Sequence, residues 1–334
     1  MCIRDSFENH SVGGDPKFFD FDLLKTSHLI ASACSSMFSI GVADCKIAIE
    51  KMTVTQAVAF MRAVVGNVVR RDEDLQYLSA AFNINTPIVD DRGKKAKQIS
   101  EPMEIAKLGI EIAVAGGFEK VTWDGASNQI PSVPIIEQLS HAQIVELVHT
   151  AHEQGMETYI SAGMKPPHME PATHTGVGGV GIGTSLHYRD PETKLMGALK
   201  PEAIREVLKF GKKGAESALG KSASLLARLD QMHFENLLSS EQEEQRERLY
   251  QSLKNKECDE CGDLFTSLVH VEALPVSDMH PLLAQANRLV TVASSNDFEF
   301  NLPMEQFADI SSAIKSQDFG RIKSILKTQQ EGNR

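Results

Sequence analysis

The sequence has little cysteine, five residues in 334, and no long apolar run. An odd and sparse cysteine count argues against the disulfide framework of a secreted protein, so we expect a reducing compartment such as the cytoplasm. No stretch approaches the roughly 18 uninterrupted apolar residues that a membrane span needs, and the first residues do not resemble a signal peptide. These absences predict a cytoplasmic protein without a membrane partner.

Basic residues are in the minority, 34 against 45 acidic ones, which gives a formal charge of −11. A negative protein repels a phosphate backbone, so nucleic acid is not an expected partner unless a local basic patch outweighs the total. Apolar residues, by contrast, make up 42% of the chain. A chain of this length and composition can bury a large core, which excludes global disorder.

The first six residues, MCIRDS, do not blend into the pattern that follows them. We expect residues 1–6 to be a foreign leader outside the fold, with further native residues upstream of residue 7. A frayed native terminus is the alternative.

Short apolar runs alternate with segments of helical periodicity between about residues 28 and 213. The runs predict strands at residues 45–49, 77–82, 120–123, 157–161 and 178–183. The intervening segments predict helices at residues 55–70 and 101–115, a third helix capped by Ser140 and a fourth that begins at Pro201. We interpret the strands as buried on both faces, as parallel strands usually are.

Repeated strand–helix units are typical of a parallel sheet, which forms either a closed (βα)8 barrel or an open doubly wound sheet. Glycine and polar residues directly after the strands favour the barrel, because barrel enzymes place function at the carboxyl ends of their strands. We therefore predict an α/β fold in which residues 7–213 form a (βα)8 TIM-type barrel that lacks its first strands.

Beyond residue 214 the pattern is helical only, and it predicts an all-α extension over residues 214–334. A single CxxC motif, Cys258 and Cys261, lies in this part. It could be half of a zinc site completed by His270 or His280, a redox pair, or a coincidence at a helix end. Structural zinc needs four ligands and the sequence has no second cysteine pair, so we favour the helix end and predict no metal site.

Lys46 and Asp124 are the first candidates for chemistry. Lys46 lies within a predicted strand, where a charged amine is costly to bury, and an uncharged amine can act as a nucleophile or a base. Asp124 ends another strand, where a carboxylate is suited to proton transfer. The structural alternatives are an outward-facing lysine with a packed stem and a carboxylate that caps a turn.

Two glycine-rich turns follow the last two predicted strands. The first contains Ser161, Gly163 and Lys165, and the second contains Gly183, Thr184 and Ser185. Glycine lets backbone N–H groups approach an anion, and the loops after the last barrel strands are a frequent phosphate site. These turns therefore predict phosphate binding, although tight turns use glycine without any ligand.

Several of these segments resemble the (5-formylfuran-3-yl)methyl phosphate synthases in order and spacing. The resemblance runs from about Ser11 to Leu208 and rests on KTSHLIA at 25–31, KIAI at 46–49, TQAV at 55–58, VTWDGA at 121–126, AHEQG at 151–155 and GMK at 163–165. Enzymes of that family are (βα)8 barrels that join two glyceraldehyde 3-phosphate molecules into a furan phosphate, an early step towards methanofuran-type C1 carriers. Their chemistry is of the class I aldolase type, with a Schiff base on a lysine.

The resemblance implies a role for each candidate. By position, Lys46 corresponds to a substrate-positioning lysine on the fourth strand, and Asp124 to an acid/base aspartate that ends the sixth. Lys165 corresponds to a lysine after the seventh strand, and the turn at 183–185 to the phosphate-side loop after the eighth. The resemblance implies no cofactor, because the protonated imine itself is the electron sink.

The sequence departs from the family pattern at two places. The resemblance begins with SVGGD at 11–15, the expected end of strand three, so the first two strands and their imine-forming lysine are expected to lie outside this sequence. Another family lysine, four residues beyond the aspartate, is replaced by Asn128. An amide cannot donate a proton as an ammonium does, nor can it form an imine.

Three functions fit these observations. The first is a lyase or aldolase-type condensing enzyme on triose phosphates, active in the complete protein and inactive in a fragment whose sheet edges are exposed. The second is a sugar-phosphate isomerase or epimerase on the same barrel, with Asp124 as its base. The third is a non-catalytic protein that binds a phosphorylated ligand. The expected partner is a small phosphorylated carbonyl compound, and homo-oligomerisation stays open.

Overall fold

The structure of the chain, a computed structural model, describes residues 16–71, 76–126, 132–193, 195–235, 237–272, 281–294 and 303–332. Four features of the sequence lie outside the described residues: the leader at 1–6, the strand end at 11–15, Asn128 and His280. Within the described ranges, no helix combines the length and the hydropathy that crossing a bilayer requires.

The chain is mixed α/β. Its strands are β1 (Asp44–Ala48), β2 (Tyr77–Asn83), β3 (Ile88–Asp90), β4 (Lys97–Ile99), β5 (Lys120–Asp124), β6 (Glu157–Ser161), β7 (Gly179–Gly181), β8 (His187–Arg189) and β9 (Met196–Leu199). Its helices are α1 (Pro16–Ser39), α2 (Val54–Asn67), α3 (Pro102–Gly116), α4 (Ile135–Gln138), α5 (His141–Glu153), α6 (Met169–Thr173), α7 (Pro201–Glu216), α8 (Ala218–Phe234), α9 (Ser240–Asn255), α10 (Cys258–Glu272), α11 (Pro281–Ser294), α12 (Met304–Ser316) and α13 (Phe319–Gly332).

Five strands form one parallel sheet in the order β1-β2-β5-β6-β7, and the sheet curls into half a barrel. All five predicted strands are confirmed, each within two residues of its predicted bounds. The remaining strands form two antiparallel hairpins, β3–β4 and β8–β9. Neither hairpin is predictable from the sequence, because strands of three or four residues are too short to show a periodicity.

The expectation that the sheet strands are buried on both faces holds in the middle of β2 and β5, where Ser79 and Thr122 of the concave face are buried as well, but the two faces differ in polarity. Cys45, Ile47, Val121, Trp123 and Ile160 face one side and are fully buried or nearly so. On this convex side α1 packs on β1, α3 on β2 and β5, and α5 on β6. The residues between them carry the polar side chains of the sheet. The strands therefore alternate, because the sheet curls and leaves its concave face open to a pocket.

The helices begin where capping residues lie. Ser140 accepts a hydrogen bond from the backbone of Gln143, whose side chain in turn accepts one from the backbone N–H of Ser140, so the predicted capping box of α5 is confirmed. Glu101, and not Ser100 before it, caps α3 by accepting a hydrogen bond from the N–H of Glu104 at 2.8 Å. Glu101 occupies the N-cap position, and only a side chain at that position reaches the free N–H groups of the first turn.

From residue 214 onwards the described residues form helices and no strand. Helices α8, α9 and α10 share an apolar core that includes Leu229, Leu249 and Leu268 and also takes in Val145 of α5. Helices α11, α12 and α13 share a separate core. The first group is thus packed directly on a helix of the half-barrel.

The CxxC motif lies at the start of α10. Cys258 is exposed, whereas Cys261 is fully buried in the core of α8–α10. Burial raises the pKa of the Cys261 thiol to about 11. This placement agrees with the helix-end interpretation, since a buried thiol of high pKa is a poor metal ligand and a poor redox nucleophile.

A buried ionic network fastens α8 and α9 to α5. Asp230 of α8 is fully buried and accepts hydrogen bonds from Nδ1 of His149 at 3.0 Å and Nη1 of Arg246 at 2.9 Å. Arg246 also pairs with Glu153 at 2.9 Å, and the ring of Tyr250 stacks on His149 with centroids 4.0 Å apart. Because each charge has partners within the network, burial of this cluster does not leave an uncompensated ion.

A second buried carboxylate, Glu119, closes the amino-terminal end of the sheet. Its side chain is 1% exposed and accepts hydrogen bonds from the backbone N–H of Leu78 and the amide of Gln285. Arg70 lies 2.9 Å away and Arg288 of α11 lies 3.6 Å away. Burial acts to raise the pKa of Glu119, but the two guanidinium groups and the hydrogen bonds outweigh it and hold the pKa below its usual value.

We expect Glu119→Gln to destabilise the fold by about 3–5 kcal/mol, because it leaves two guanidinium groups near the core without their counter-charge. Urea unfolding followed by circular dichroism measures the change in the free energy of unfolding.

Glu111→Gln is the matched control. Glu111 also pairs with an arginine, Arg92, at 2.9 Å, but its side chain is 53% exposed. We expect a loss of about 0–1 kcal/mol from this surface pair. Equal losses in the two variants would show that burial of Glu119 does not set its contribution.

Candidate functional site

Three side chains of the concave face meet in one hydrogen-bonded cluster: Lys46, Asp124 and Ser161. The Nζ of Lys46 lies 3.2 Å from Oδ2 of Asp124 and 2.9 Å from Oγ of Ser161. The hydroxyl of Ser161 accepts from Lys46 and donates to the same carboxylate oxygen at 2.8 Å. We call this group the Lys46–Asp124–Ser161 cluster.

Strand register explains why these side chains meet. Asp124 and Ser161 are direct neighbours at the carboxyl ends of β5 and β6. The backbone of Lys46 lies nearer the amino ends of the strands. It pairs with Ser79 of β2, and Ser79 pairs with Lys120, the first residue of β5. Only a long side chain spans the distance from that level to Asp124. A lysine in the middle of β1 can thus reach a carboxylate at the end of β5.

The environment of Asp124 sets opposing influences on its charge. Burial raises the pKa of the carboxyl group, whereas the charge of Lys46 and hydrogen bonds from Ser161, the backbone N–H of Ala126 and Lys46 lower it. The lowering influences prevail, so the pKa lies below its usual value. Asp124 is therefore a carboxylate at neutral pH, and the charge of Lys46 is the first of the influences that lower its pKa.

The cluster forms part of a pocket of about 1090 Å³ on the concave face. Lys46 and Ser161 line it, and so do all the predicted residues of the two glycine-rich turns: Gly163, Lys165, Gly183, Thr184 and Ser185. Asp124 reaches the cluster from the end of β5 through its contacts with Lys46 and Ser161. The structure thus brings all eight sequence-predicted site residues to the carboxyl edge of the sheet.

The first turn holds an unusual backbone. Ala162 has a φ of 91°, a value that side-chain-bearing residues rarely adopt, and Gly163 follows with a φ of 63°. A Cβ at Gly163 would lie 2.3 Å from the carbonyl oxygen of Ser132, so glycine is required there by close packing. The strain lies directly beside Ser161, where it fixes the direction in which the chain leaves β6.

The second turn is more open. A Cβ at Gly183 would meet nothing within 4 Å, so this backbone is accessible from the pocket. The hydroxyl of Ser185 donates to the carbonyl of Met164 at 2.9 Å and ties the two turns together, while Thr184 is exposed. Gly183 and Thr184 are therefore free to face an anion, and Ser185 positions them.

Lys165 is exposed at the rim of the pocket and forms no ion pair with the described residues. Its backbone N–H donates to Nδ1 of His168 at 3.2 Å, which holds the turn without using the amine. The amine of Lys165 is thus available to a ligand, in contrast to that of Lys46.

Sequence reasoning missed several residues of the pocket. Ser79 and Thr122 hydrogen-bond to each other at 2.7 Å on its floor, and Tyr159 lines the wall. Each is an alternate residue of a predicted strand, so the alternation was the signal that could have found them. The basic side chains of His187, Arg189 and Lys200 come from the β8–β9 hairpin and the residue after it.

A comparison with models of protein families finds none that matches this chain, and a search of curated proteins finds no match either. The resemblance to the furan phosphate synthases stays a prediction that rests on the residues quoted for it.

We expect Lys46→Met to raise the pKa of Asp124, because burial then acts on the carboxyl group without the charge that opposes it. Titration of the Asp124 carboxyl carbon by NMR measures the change. In the natural sequence the ionised carboxylate contributes stability above its unfolded pKa of about 3.9, and that contribution is lost as the pH falls through the lower folded pKa. In the variant this contribution should shrink or reverse sign.

Lys165→Met is the control for the loss of one positive charge at the pocket. Lys165 has no contact with Asp124, so we expect the titration of Asp124 to be nearly unchanged. A pKa of Asp124 that responds equally to both variants would refute a specific dependence on Lys46.

Proposed function

We propose that this protein is a lyase or condensing enzyme of the class I aldolase type that acts on small phosphorylated carbonyl compounds such as triose phosphates. The observation that carries the proposal is the Lys46–Asp124–Ser161 cluster at the carboxyl edge of a parallel sheet, beside two turns suited to an anion. In this proposal Asp124 transfers the proton, Lys46 binds the substrate, and Lys165 and the turn at 183–185 hold the phosphate.

The order of the strands supports a (βα)8 barrel as the plan of the fold. The five parallel strands follow one another in the sheet in the same order as in the chain, and β3 and β4 form a separate hairpin. A doubly wound sheet would reverse its strand order at a switch point, whereas a barrel never does. The position of the cluster at the carboxyl ends agrees with where barrel enzymes hold their active residues.

Loss of the contact with Lys46 explains how Asp124 can act as a base although its pKa is lowered in the structure. When the ammonium group of Lys46 turns to a phosphate or carbonyl oxygen of the substrate, the carboxylate loses its main neighbouring charge. Burial still acts on the carboxyl group while that charge is withdrawn, so the pKa of Asp124 rises from its lowered value and Asp124 becomes a stronger base once a substrate is bound. Asp124 then takes the proton α to the carbonyl, and the electron pair of that C–H bond forms the enolate of a free carbonyl or the enamine of a protonated imine.

Ser161 is expected to position the other two groups and not to bind phosphate. Its hydroxyl already accepts from Lys46 and donates to Asp124. While Lys46 is engaged with the substrate, Ser161 still donates to Oδ2 of Asp124. The other carboxylate oxygen, Oδ1, accepts from the backbone N–H of Ala126 at 2.8 Å. The lone pairs of the carboxylate that these bonds do not use can accept the substrate proton.

Isomerisation or epimerisation of a sugar phosphate is the second candidate. The direct contact between Lys46 and Asp124 favours it, because an ammonium group beside a carboxylate can polarise a carbonyl without forming an imine. The two candidates share proton removal by Asp124 and differ in whether a lysine becomes covalently attached to the substrate.

We expect the protein expressed from its complete gene to exchange the α-protons of dihydroxyacetone phosphate with deuterium from the solvent, and Asp124→Asn to slow this exchange by about 10²–10⁴-fold. Proton NMR in D₂O follows the exchange. Asp263→Asn changes an exposed aspartate on α10 and should leave the rate unchanged. Exchange that persists in Asp124→Asn would remove Asp124 from the proposed mechanism.

We expect borohydride to trap a triose phosphate on a lysine of the protein expressed from its complete gene, because reduction of an imine makes the attachment permanent. Mass spectrometry of the intact protein detects the added mass, and peptide mapping assigns the lysine. Omission of borohydride is the control, since an unreduced imine hydrolyses. A spectrum without added mass would reject imine formation, and exchange without trapping would favour the isomerase.

A further inference from the structure

Tyr159 lies on β6 two residues before Ser161, so the alternation of the strand places both side chains on the concave face. It lines the pocket but is not part of the Lys46–Asp124–Ser161 cluster. Its side chain can fill space, donate a hydrogen bond or do both, and the contacts of its ring and of its hydroxyl group decide which.

The ring of Tyr159 is held across two glycines of β7. A Cβ at Gly179 would lie 2.3 Å from Cδ2 of Tyr159, and a Cβ at Gly181 would lie 3.1 Å from its Cε1. A side chain at position 179 would displace the ring, and one at position 181 would crowd it. The Nζ of Lys120 lies 5.1 Å from the ring centroid, within the range of a cation–π contact. These contacts fix the direction of the side chain without using its hydroxyl group.

The hydroxyl group of Tyr159 ends beside the Lys46–Asp124–Ser161 cluster. The ideal Cβ position of Gly181 lies 3.2 Å from Oη of Tyr159 and 2.9 Å from Cβ of Ser161. Because Gly181 has no side chain, the phenol and Ser161 share one gap above it. Ser161 is bonded to Asp124, so a substrate in contact with this carboxylate also lies close to the phenol.

The hydroxyl group of Tyr159 is also a free donor, since it forms no hydrogen bond with the residues that the structure describes. Other hydroxyl groups on this face are engaged. Ser79 and Thr122 are bonded to each other at 2.7 Å, and Ser161 donates to Asp124 at 2.8 Å. A fixed donor that faces a pocket and has no acceptor in the protein points to a ligand with an oxygen acceptor.

The phenol of Tyr159 is neutral at ordinary pH. Burial, and to a smaller extent the charge of Asp44, raises the pKa of Tyr159 above its usual value of about 10. A phenol that is hard to ionise donates a hydrogen bond and does not act as a base. It suits an oxygen atom that becomes negatively charged during a reaction, because hydrogen bonds to charged oxygens are stronger than those to neutral ones.

We propose that Tyr159 is a further catalytic residue, whose hydroxyl group donates a hydrogen bond to the carbonyl oxygen of the substrate. The inference rests on the proposed function, since it assumes that Asp124 removes the proton next to that carbonyl. When Asp124 takes this proton, the electron pair of the C–H bond forms a C=C bond, and the π pair of the C=O bond moves to the oxygen. Tyr159 stabilises the charged oxygen and keeps its own proton.

The same oxygen becomes charged at the start of imine formation. The electron pair of an attacking amine forms the C–N bond, and the π pair of the C=O bond again moves to the oxygen. A donor at this position therefore serves both candidate functions, the condensing enzyme and the isomerase.

Deuterium exchange of dihydroxyacetone phosphate by the protein expressed from its complete gene tests this role. Tyr159→Phe keeps the ring on the two glycines and removes only the donor. We expect the variant to slow the exchange at saturating substrate by about 10²–10³-fold, the effect of removing one donor to a developing oxyanion. The half-saturating concentration should change little, because the hydrogen bond gains most of its strength as the charge develops. Thermal melting shows whether the variant is folded.

Tyr188→Phe is the matched control, because it removes the same group from a tyrosine of β8 that does not line the pocket. The hydroxyl of Tyr188 donates to Glu202 at 2.8 Å, and we expect its loss to leave the exchange rate unchanged. Equal rates in Tyr159→Phe and the natural sequence would overturn the inference and leave Asp124 in its proposed role. An absence of exchange in the natural sequence would count against the proposed function instead.

Isothermal titration calorimetry decides on the donor without any turnover. 2-Phosphoglycolate has a charged carboxylate where the enolate of dihydroxyacetone phosphate has its oxygen, and glycerol 3-phosphate has a neutral hydroxyl group there. We expect Tyr159→Phe to bind 2-phosphoglycolate about tenfold more weakly and glycerol 3-phosphate within about twofold of the natural sequence. An equal loss for both ligands, no loss for 2-phosphoglycolate, or no binding of it by the natural sequence would overturn the inference.

Discussion

The alternation of side chains along five parallel strands is the constraint on which the rest of this structure depends. Residues that point outwards, such as Ile47 and Trp123, are buried under helices and supply the hydrophobic stabilisation of the half-barrel. Their sequence neighbours must then point inwards, whatever their chemistry. Lys46, Thr122 and Asp124 are therefore displayed together on the concave face. A shift of one residue in any strand would exchange the two sets and destroy both the core and the pocket.

Carboxylates removed from water are stabilised here by paired cations, but the pairs serve different ends. Glu119 is held between two arginines and two neutral hydrogen-bond donors, and Asp230 between a histidine and an arginine. Those sites are closed, and their carboxylates join helices to the half-barrel. Asp124 differs because its main cation, Lys46, lines an open pocket, and the proposed function has this cation turn to the substrate. Pairing of a carboxylate with a cation thus holds the fold together at Glu119 and Asp230, whereas at Asp124 the proposed function makes the same pairing reversible.

The strands, the capping box at Ser140 and the site residues were predictable because each leaves a local pattern in the sequence. The burial of the middle of β2 and β5 was predicted correctly, but the polar character of the concave face was not, since runs such as KVTWD contain both apolar and polar residues and were interpreted as continuous. The two hairpins were missed. Their segments are short or carry mixed composition, and their partners are fixed by contacts rather than by periodicity. His187, Arg189 and Lys200 were missed with the β8–β9 hairpin for this reason.

The sequence by itself determined which residues can form parallel strands and which polar residues follow them, because both are properties of a few neighbouring side chains. The tertiary structure alone decided that Lys46 reaches Asp124 across two intervening strand pairings, and that Ser161 bridges them. It also decided that the hairpin turns its cations into the pocket and that Arg288 meets Glu119 from far along the chain. These contacts join residues distant in sequence, and their geometry follows from strand register and curvature, which no local pattern encodes.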